Sequence, residues 1–207
     1  MLPFFPLNIV VYPYEMLNLH IFEPRYRQLI GDCLANNSTF GIPVYLNNAI
    51  QPIGTEVRIV ELARKYADGT MDIRVEGWRI FSIQDFFQPM PGKLHAGGKV
   101  SFLPTEDDSD IVAKARLIAQ IDELYQYMKL KHEFSTDMPF LSYKVAHRIG
   151  LSLAQQYQVL CLLLESERID YISDCLAQII PVVVETERLR ELIRMNGHFR
   201  RFDPLSF

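Results

Sequence analysis

The stretch TEVRIVELARKYADGTMDIRVEGWRI, residues 55–80, sets two alternating runs on either side of Asp68-Gly69 and constrains the fold more than any other part of the chain. Met71, Ile73 and Val75 alternate with Asp72, Arg74 and Glu76, the period-2 pattern of a strand with one face in water. Gly69 accepts a positive φ at little steric cost, so Asp-Gly predicts a tight turn and the two runs form a hairpin. In VRIVEL the alternation slips between Ile59 and Val60, which predicts a bulge or a strand covered on both faces. Further short strands are expected at Leu7–Tyr12, Phe40–Leu46, Ile80–Phe87 and Lys93–Phe102. Many short strands of this kind close into a small barrel or stack as a sandwich.

One helix interrupts them. In LHIFEPRYRQLIGDCLANN, Pro24 suits a first helical turn, where its missing N–H would be unpaired anyway. Tyr26, Leu29, Ile30, Cys33 and Leu34 then recur on one face of a 3.6-residue period. Glu23 and Arg27 stand four apart with the acid on the N-terminal side, the better orientation for a surface pair. The charges of this cluster are therefore expected to be structural.

Beyond LPTEDDSDI, residues 103–111, the period changes to that of helices. A stripe of Ile111, Ala115, Ile118, Ile121, Tyr125 and Met128 follows an acidic run, Glu106 to Asp110, that reads as a solvated helix entrance suited to the helix dipole. Ser152 and Gln155 make a capping-box pattern ahead of YQVLCLLLE. Ile169, Ile172, Leu176, Ile179 and Val183 form a last stripe, which Pro181 is expected to kink or break and Asn196-Gly197 to end.

Function classes fall away one after another. The 207 residues carry a net charge of −4; residues 1–104 balance nine Lys plus Arg against nine Asp plus Glu, and residues 105–207 hold 12 against 16. Phosphate neutralisation supplies most nucleic-acid affinity, so this balance argues against RNA. The basic cluster Arg194, His198, Arg200 and Arg201 reads as a helix end favoured by the dipole. The N-terminus lacks a basic region before its apolar residues, and the apolar runs are short, so neither a secretory signal nor a membrane span is expected. Cys33, Cys161 and Cys175 are distant and odd in number, which fits reduced, buried thiols in a cytoplasmic protein. No cofactor is implied. The five histidines show no metal-ligand spacing, PGKL lacks the rest of a phosphate loop, and Ser142 and Lys144 are two apart, where helical side chains do not face each other.

The series LPFFPLNIVVYPYEMLNLHIFEPRYRQLI, FGIPV, IGTEVRIVE and DGTMDIRVEGWRIF resembles the N-terminal, substrate-binding domain of the Lon protease family, in the form of its stand-alone bacterial members. VAHRIGLSLAQQYQVLCLLLE resembles the helical half of the same domain. The resemblance implies an α+β fold, with a PUA-like β pseudobarrel containing one helix at residues 1–104 and a C-terminal α-helical bundle at 105–207. Glu23, Pro24, Arg25, Tyr26, Gly41, Gly54, Gly77 and Arg79 fall on family signature positions and are expected to define the fold. The resemblance also implies a non-catalytic module. The chain lacks the ATPase segment and the serine–lysine protease segment of the full protease, so neither ATP hydrolysis nor peptide cleavage is expected. The implied partner is an unfolded or damaged polypeptide, bound directly or in the role of an adaptor in proteolysis; the alternative is an RNA-binding PUA-like protein. Two loops hold more apolar surface than a loop needs, VVYPYEM and DFFQPMPG, which makes Tyr12, Tyr14, Met16, Phe86, Phe87 and Met90 the candidate peptide-binding residues.

Overall fold

The computed structural model describes residues 1–199, with side chains through Arg194. Strands β1 (Leu2–Phe4), β2 (Met16–Ile21), β3 (Phe40–Leu46), β4 (Ala49–Lys65), β5 (Met71–Phe87) and β6 (Ala96–Leu103) form one sheet in the order β2-β5-β4-β3-β1-β6. β5 closes most of it into a ring. Its first half, Met71 to Glu76, pairs with β2, and its second half, Ile80 to Phe87, turns to pair with β6, while β4 runs along its other edge.

The hairpin lies where the Asp-Gly signal places it, with Gly69 at φ 83° and the Asp68 carboxylate accepting from the Thr70 amide. The register shifts between Ile59 and Glu61, so the slip in VRIVEL is a bulge. One strand expectation fails, and one strand lies where none is expected. Leu7–Tyr12 is irregular apart from a single bridge from Leu7 to Val44, because Val10, Val11 and Tyr12 are all buried in the core instead of alternating across a sheet. Met16–Ile21, where no strand is expected, forms one, with Leu17, Leu19 and Ile21 turned inward and alternating with exposed Met16, Asn18 and His20. The expected strands at Ile80 and Lys93 become the second half of β5 and, starting later, β6.

Helix α1 (Pro24–Asn36) begins at Pro24 and ends with Asn37 in a left-handed conformation. Tyr26, Leu29, Ile30 and Cys33 are buried against Phe5, Phe40, Ile42 and Val57, a core that plugs one side of the ring; Leu34 is exposed, one position beyond that face. Glu23 pairs with Arg25 at 2.8 Å and not with Arg27, which reaches across to donate to the Asp68 carbonyl at 2.7 Å. Arg27 thus braces the hairpin turn.

The helices are α2 (Ile111–Met128), α3 (Leu141–Val145), α4 (Leu153–Cys161) and α5 (Glu165–Phe199). The stripe on α2 is rotated from the expected one: Lys114, Leu117, Ile121, Leu124 and Tyr125 are buried, while Ile111, Ala115 and Met128 are exposed. Ser152 and Gln155 do form the capping box of α4. α5 continues through Pro181 and past Asn196-Gly197, and its buried face is Ile169, Ile172, Cys175, Leu176 and Ile180. Arg200 and Arg201 of the basic cluster lie outside the described residues. The helical core is not separate from the barrel. Val10, Tyr12, Val44 and Ile80 pack into the same cluster as Leu117, Leu160 and Ile172.

The acidic run is a solvated helix entrance, with Glu106, Asp108 and Asp110 exposed, that also staples two helices together. Asp110 caps α2 by accepting from the Ala113 amide, Asp108 caps α5 by accepting from the Ser166 amide and hydroxyl, and Glu106 exchanges backbone bonds with Leu163 and Glu165. Unpaired amides at helix starts attract carboxylates, which is why Asp108 and Asp110 sit on them.

Candidate functional site

The segment Tyr12 to Met16 folds over β5 at Gly77. Tyr14 N–H donates to the Gly77 carbonyl at 2.8 Å, and Gly77 N–H donates to the Glu15 carbonyl at 2.8 Å. A β-carbon at Gly77 would be driven into the Tyr12 carbonyl oxygen, so only glycine permits this approach. The consequence is that a barrel glycine sets the position of an aromatic loop.

Facing this loop, residues 132–140 leave α2 and enter α3. Asp107 is the anchor: its carboxylate accepts from the Phe140 amide at 3.0 Å and from Lys114 Nζ at 3.0 Å, and Lys114 in turn donates to the Met138 carbonyl at 3.1 Å. Burial raises the Asp107 pKa, but the bonds from Phe140, Ser109 and Lys114 outweigh it and hold the carboxyl below the usual aspartate range. His132 accepts the Phe134 amide on Nδ1 at 3.1 Å, so Nε2 carries the proton donated to Asp122 at 2.8 Å. Its ring stacks on Phe134 at 4.7 Å.

Between the two loops lies an open cleft of about 540 Å³. Pro13, Tyr14 and Met16 line one side; Phe134, Met138, Phe140 and Tyr143 line the other; Lys144, His147 and Arg148 complete it with Glu15 and Glu133. Tyr14 and Phe140 stack on each other at 5.4 Å, and both are left-handed, with φ 66° and 48°. Large aromatic side chains rarely enter that region, at a cost of about 1–3 kcal/mol each, and such residues persist where the surroundings over-determine them. The Gly77 and Asp107 bonds supply that constraint.

The cleft floor rests on a buried polar knot. Arg168 and Glu165 are both fully buried and meet at 2.8 Å. Glu165 also accepts from the Ser142 amide at 2.8 Å and hydroxyl at 2.5 Å, and Arg168 donates to the Leu162 carbonyl at 2.9 Å. The guanidinium lies 4.3 Å from the centre of the Tyr143 ring, and Tyr143 stacks on Tyr12 at 5.0 Å. Burial pushes the Tyr143 phenol up to about 12, so it is an O–H donor across the physiological range. Ser142 is wholly taken up in this knot and Lys144 is turned outward, so they form no dyad.

The candidate residues divide. Tyr14 and Met16, 58% and 48% exposed, line the cleft. Tyr12 is fully buried with its hydroxyl donated to the Gln156 carbonyl at 2.9 Å, so it supports the cleft and offers a ligand no surface. Phe86, Phe87 and Met90 lie at the other end of β5: Phe86 stacks on Phe4 at 6.1 Å, and Met90 covers Gly97. They do not meet Tyr14. Phe134, Met138, Phe140 and Tyr143 come from HEFSTDMPFLSY, which has neither alternation nor a helical stripe; its signal is the same density of aromatic and Met residues that marks VVYPYEM.

Glu23, Arg25 and Arg79 do not converge. Glu23 and Arg25 pair on the surface, whereas Arg79 joins buried Glu56 at 2.7 Å and sits over the Trp78 and Phe102 rings. Burial raises the pKa of all three thiols, which leaves them poor nucleophiles at neutral pH. Among the described residues no group of three His, Cys, Asp or Glu side chains could hold a metal ion, and no helix is long and apolar enough to cross a membrane.

A partly closed β ring, plugged by one helix and sharing its core with a helical bundle, defines a mixed α+β module. The chain belongs to the family of the ATP-dependent protease La (LON) substrate-binding domain, which it matches over residues 1–194. Among solved structures it is similar to a Lon N-terminal domain protein from Xanthomonas campestris, at 27% identity and TM-score 0.66, covering 83% of this chain and 95% of that one. The fold is shared with the N-terminal domain of a Lon protease from the Mycobacterium avium complex, at 18% identity and TM-score 0.63, covering 85% and 97%. No curated protein sequence matches the chain.

Proposed function

We propose that this protein is a non-catalytic binding module that holds an apolar segment of an unfolded or damaged polypeptide in the cleft between Tyr14 and Phe140, either in its own right or as an adaptor in cytoplasmic proteolysis. The observation that carries this reading is the pair of stacked, left-handed aromatic residues. The fold maintains two costly backbone conformations at the wall of a cleft, where Tyr14 is exposed and Phe140 only partly buried against the core, and strain of this kind gathers at sites of function. Membership of a substrate-binding family supports the same reading. Met16 and Met138 add adaptable contacts suited to varied sequences.

The test is fluorescence anisotropy with labelled, unstructured peptides rich in Phe and Leu. Tyr14→Gly relieves the strain and removes the ring, so affinity falls about tenfold or more, as for an aromatic anchor, while stability shifts by no more than about 1 kcal/mol. Phe86→Asp with Phe87→Asp leaves affinity within about twofold, since those rings lie outside the cleft. Wild-type affinity in Tyr14→Gly, or no binding of any peptide, overturns the proposal.

A further inference from the structure

We infer that the bound polypeptide continues from the cleft as an added β-strand on the open edge of β2, an inference that rests on the peptide-binding reading and names the conformation of its ligand. β2 ends the sheet: β5 is its neighbour on one side, and among the described residues no strand lies on the other. Gly77 directs both its amide and its carbonyl at the Tyr14–Glu15 backbone. The amide and carbonyl of one residue share a side of an antiparallel ladder, and the side alternates along the strand. Leu17, Leu19 and Ile21 therefore face β5 with these groups, while Met16, Asn18 and His20 turn theirs outward in one row.

Unpaired edges are templates for another strand, and the other open edge of this sheet is protected in ways that β2 is not. Beyond Val57, β4 pairs with β5 alone, and there it carries Arg58, Glu61, Arg64 and Lys65 together with register shifts at Ile59/Glu61 and Leu62/Arg64. β2 has no register shift, no proline and no Asp, Glu, Lys or Arg. His20 is committed to Asp72 at 2.6 Å, and the β5 charges opposite Met16 and Asn18 are drawn to β4, Glu76 by Arg58 and Arg74 by Glu61.

The occupant that fits is an extended peptide. Met16 both begins β2 and lines the cleft, so the edge continues the site without a break. A six-residue edge, about 20 Å long and about 10 Å deep, offers roughly 200 Å², well below the roughly 800 Å² per partner of a stable dimer, whereas a peptide adds the burial of its anchor between Tyr14 and Phe140. Leu17 and Leu19 are only partly buried on the inner face, so a strand with an apolar residue at every second position extends their row. Paired antiparallel, it runs toward Met16 and delivers its anchor last.

Anisotropy titrations of the full chain test this with a fluorescein-labelled peptide of six alternating Val and Ser residues followed by Phe. Only every second amide of an added strand faces β2, so N-methylation of alternate amides is diagnostic. One methylation register lowers affinity about tenfold or more, and the other leaves it within about twofold. Asn18→Pro removes an outward amide, a change an edge strand tolerates, and lowers affinity about fivefold or more with the urea midpoint held. Equal effects in both registers, with binding still weakened in Tyr14→Gly, overturn the added strand and leave the cleft reading standing. Failure of this peptide while Phe- and Leu-rich peptides bind does the same, and failure of every peptide overturns both. A wild-type dimer in sedimentation equilibrium that Asn18→Pro dissociates gives the edge to a second copy and overturns the inference.

Discussion

VVYPYEM and DFFQPMPG look alike as sequences, both aromatic loops with a Met and a Pro, and the fold treats them differently. The first is pinned between the barrel and the helices. Its amides bond to Gly77, its Tyr12 is a core residue, and its Tyr14 meets a ring from a loop more than a hundred residues away in sequence. The second is the end of a strand and the return to the next. Phe86 and Phe87 pair with Gly98 and Gly97 in an ordinary antiparallel ladder, and the tip is tethered by Lys93 to Asp32 of α1 at 2.8 Å on the surface. A concave site needs two walls. The first loop has its second wall in residues 132–143, which rest on a buried polar network, and the cleft between them is about 540 Å³; the hairpin tip borders a smaller concavity of about 240 Å³ with Arg25 and Tyr26 and is held by local pairing and an exposed ion pair.

Breaking the long-range support has the largest expected effect. Arg168→Met leaves Glu165 buried without its cation beneath Tyr143, which costs about 3–5 kcal/mol in urea unfolding and abolishes peptide binding in whatever remains folded. A loss under about 1 kcal/mol with intact binding would show that the knot does not support the cleft.

Acid sharpens the comparison at an intermediate scale. The Asp107 carboxyl, held below the usual range, contributes stability that is fully present above the ordinary aspartate pKa of about 3.9 and is lost as pH falls through its depressed folded value. Asp107→Asn removes that contribution and strands the buried Lys114, at a cost of about 1–3 kcal/mol near neutral pH. Its stability then declines less steeply than the wild type's between about pH 5 and 2, as read from urea midpoints across that window. Parallel pH profiles for the two proteins would remove Asp107 from this role.

The smallest effect belongs to the hairpin tip. Lys93→Ala removes an ion pair whose side chains are 35% and 39% exposed, so the expected loss is under about 1 kcal/mol, with affinity in the cleft unchanged. A larger loss, or weakened binding, would mean that the two loops are coupled and the contrast drawn between them is wrong.

What the sequence determined by itself is whatever local chemistry controls. Asp68-Gly69 specified the hairpin because glycine accepts φ 83°, Pro24 opened α1, Ser152 and Gln155 capped α4, and the slip at Ile59 marked a bulge. The family signature was legible for a related reason: Gly77 admits no β-carbon against the Tyr12 carbonyl, so the residue type is dictated at that point. Where the pattern misled, a distant partner had outbid the near one. Arg27 left Glu23 for the Asp68 carbonyl, Asp107 turned from the acidic run to Lys114 and the Phe140 amide, and the buried face of α2 turned so that Leu117 and Leu124 met α5. Half of the cleft was visible as Tyr14 and Met16. The other half, Phe134 to Tyr143, was decided by tertiary structure, because a left-handed Phe140 and an unpartnered Tyr143 hydroxyl exist only where Asp107, Arg168 and Tyr12 converge from separate parts of the chain.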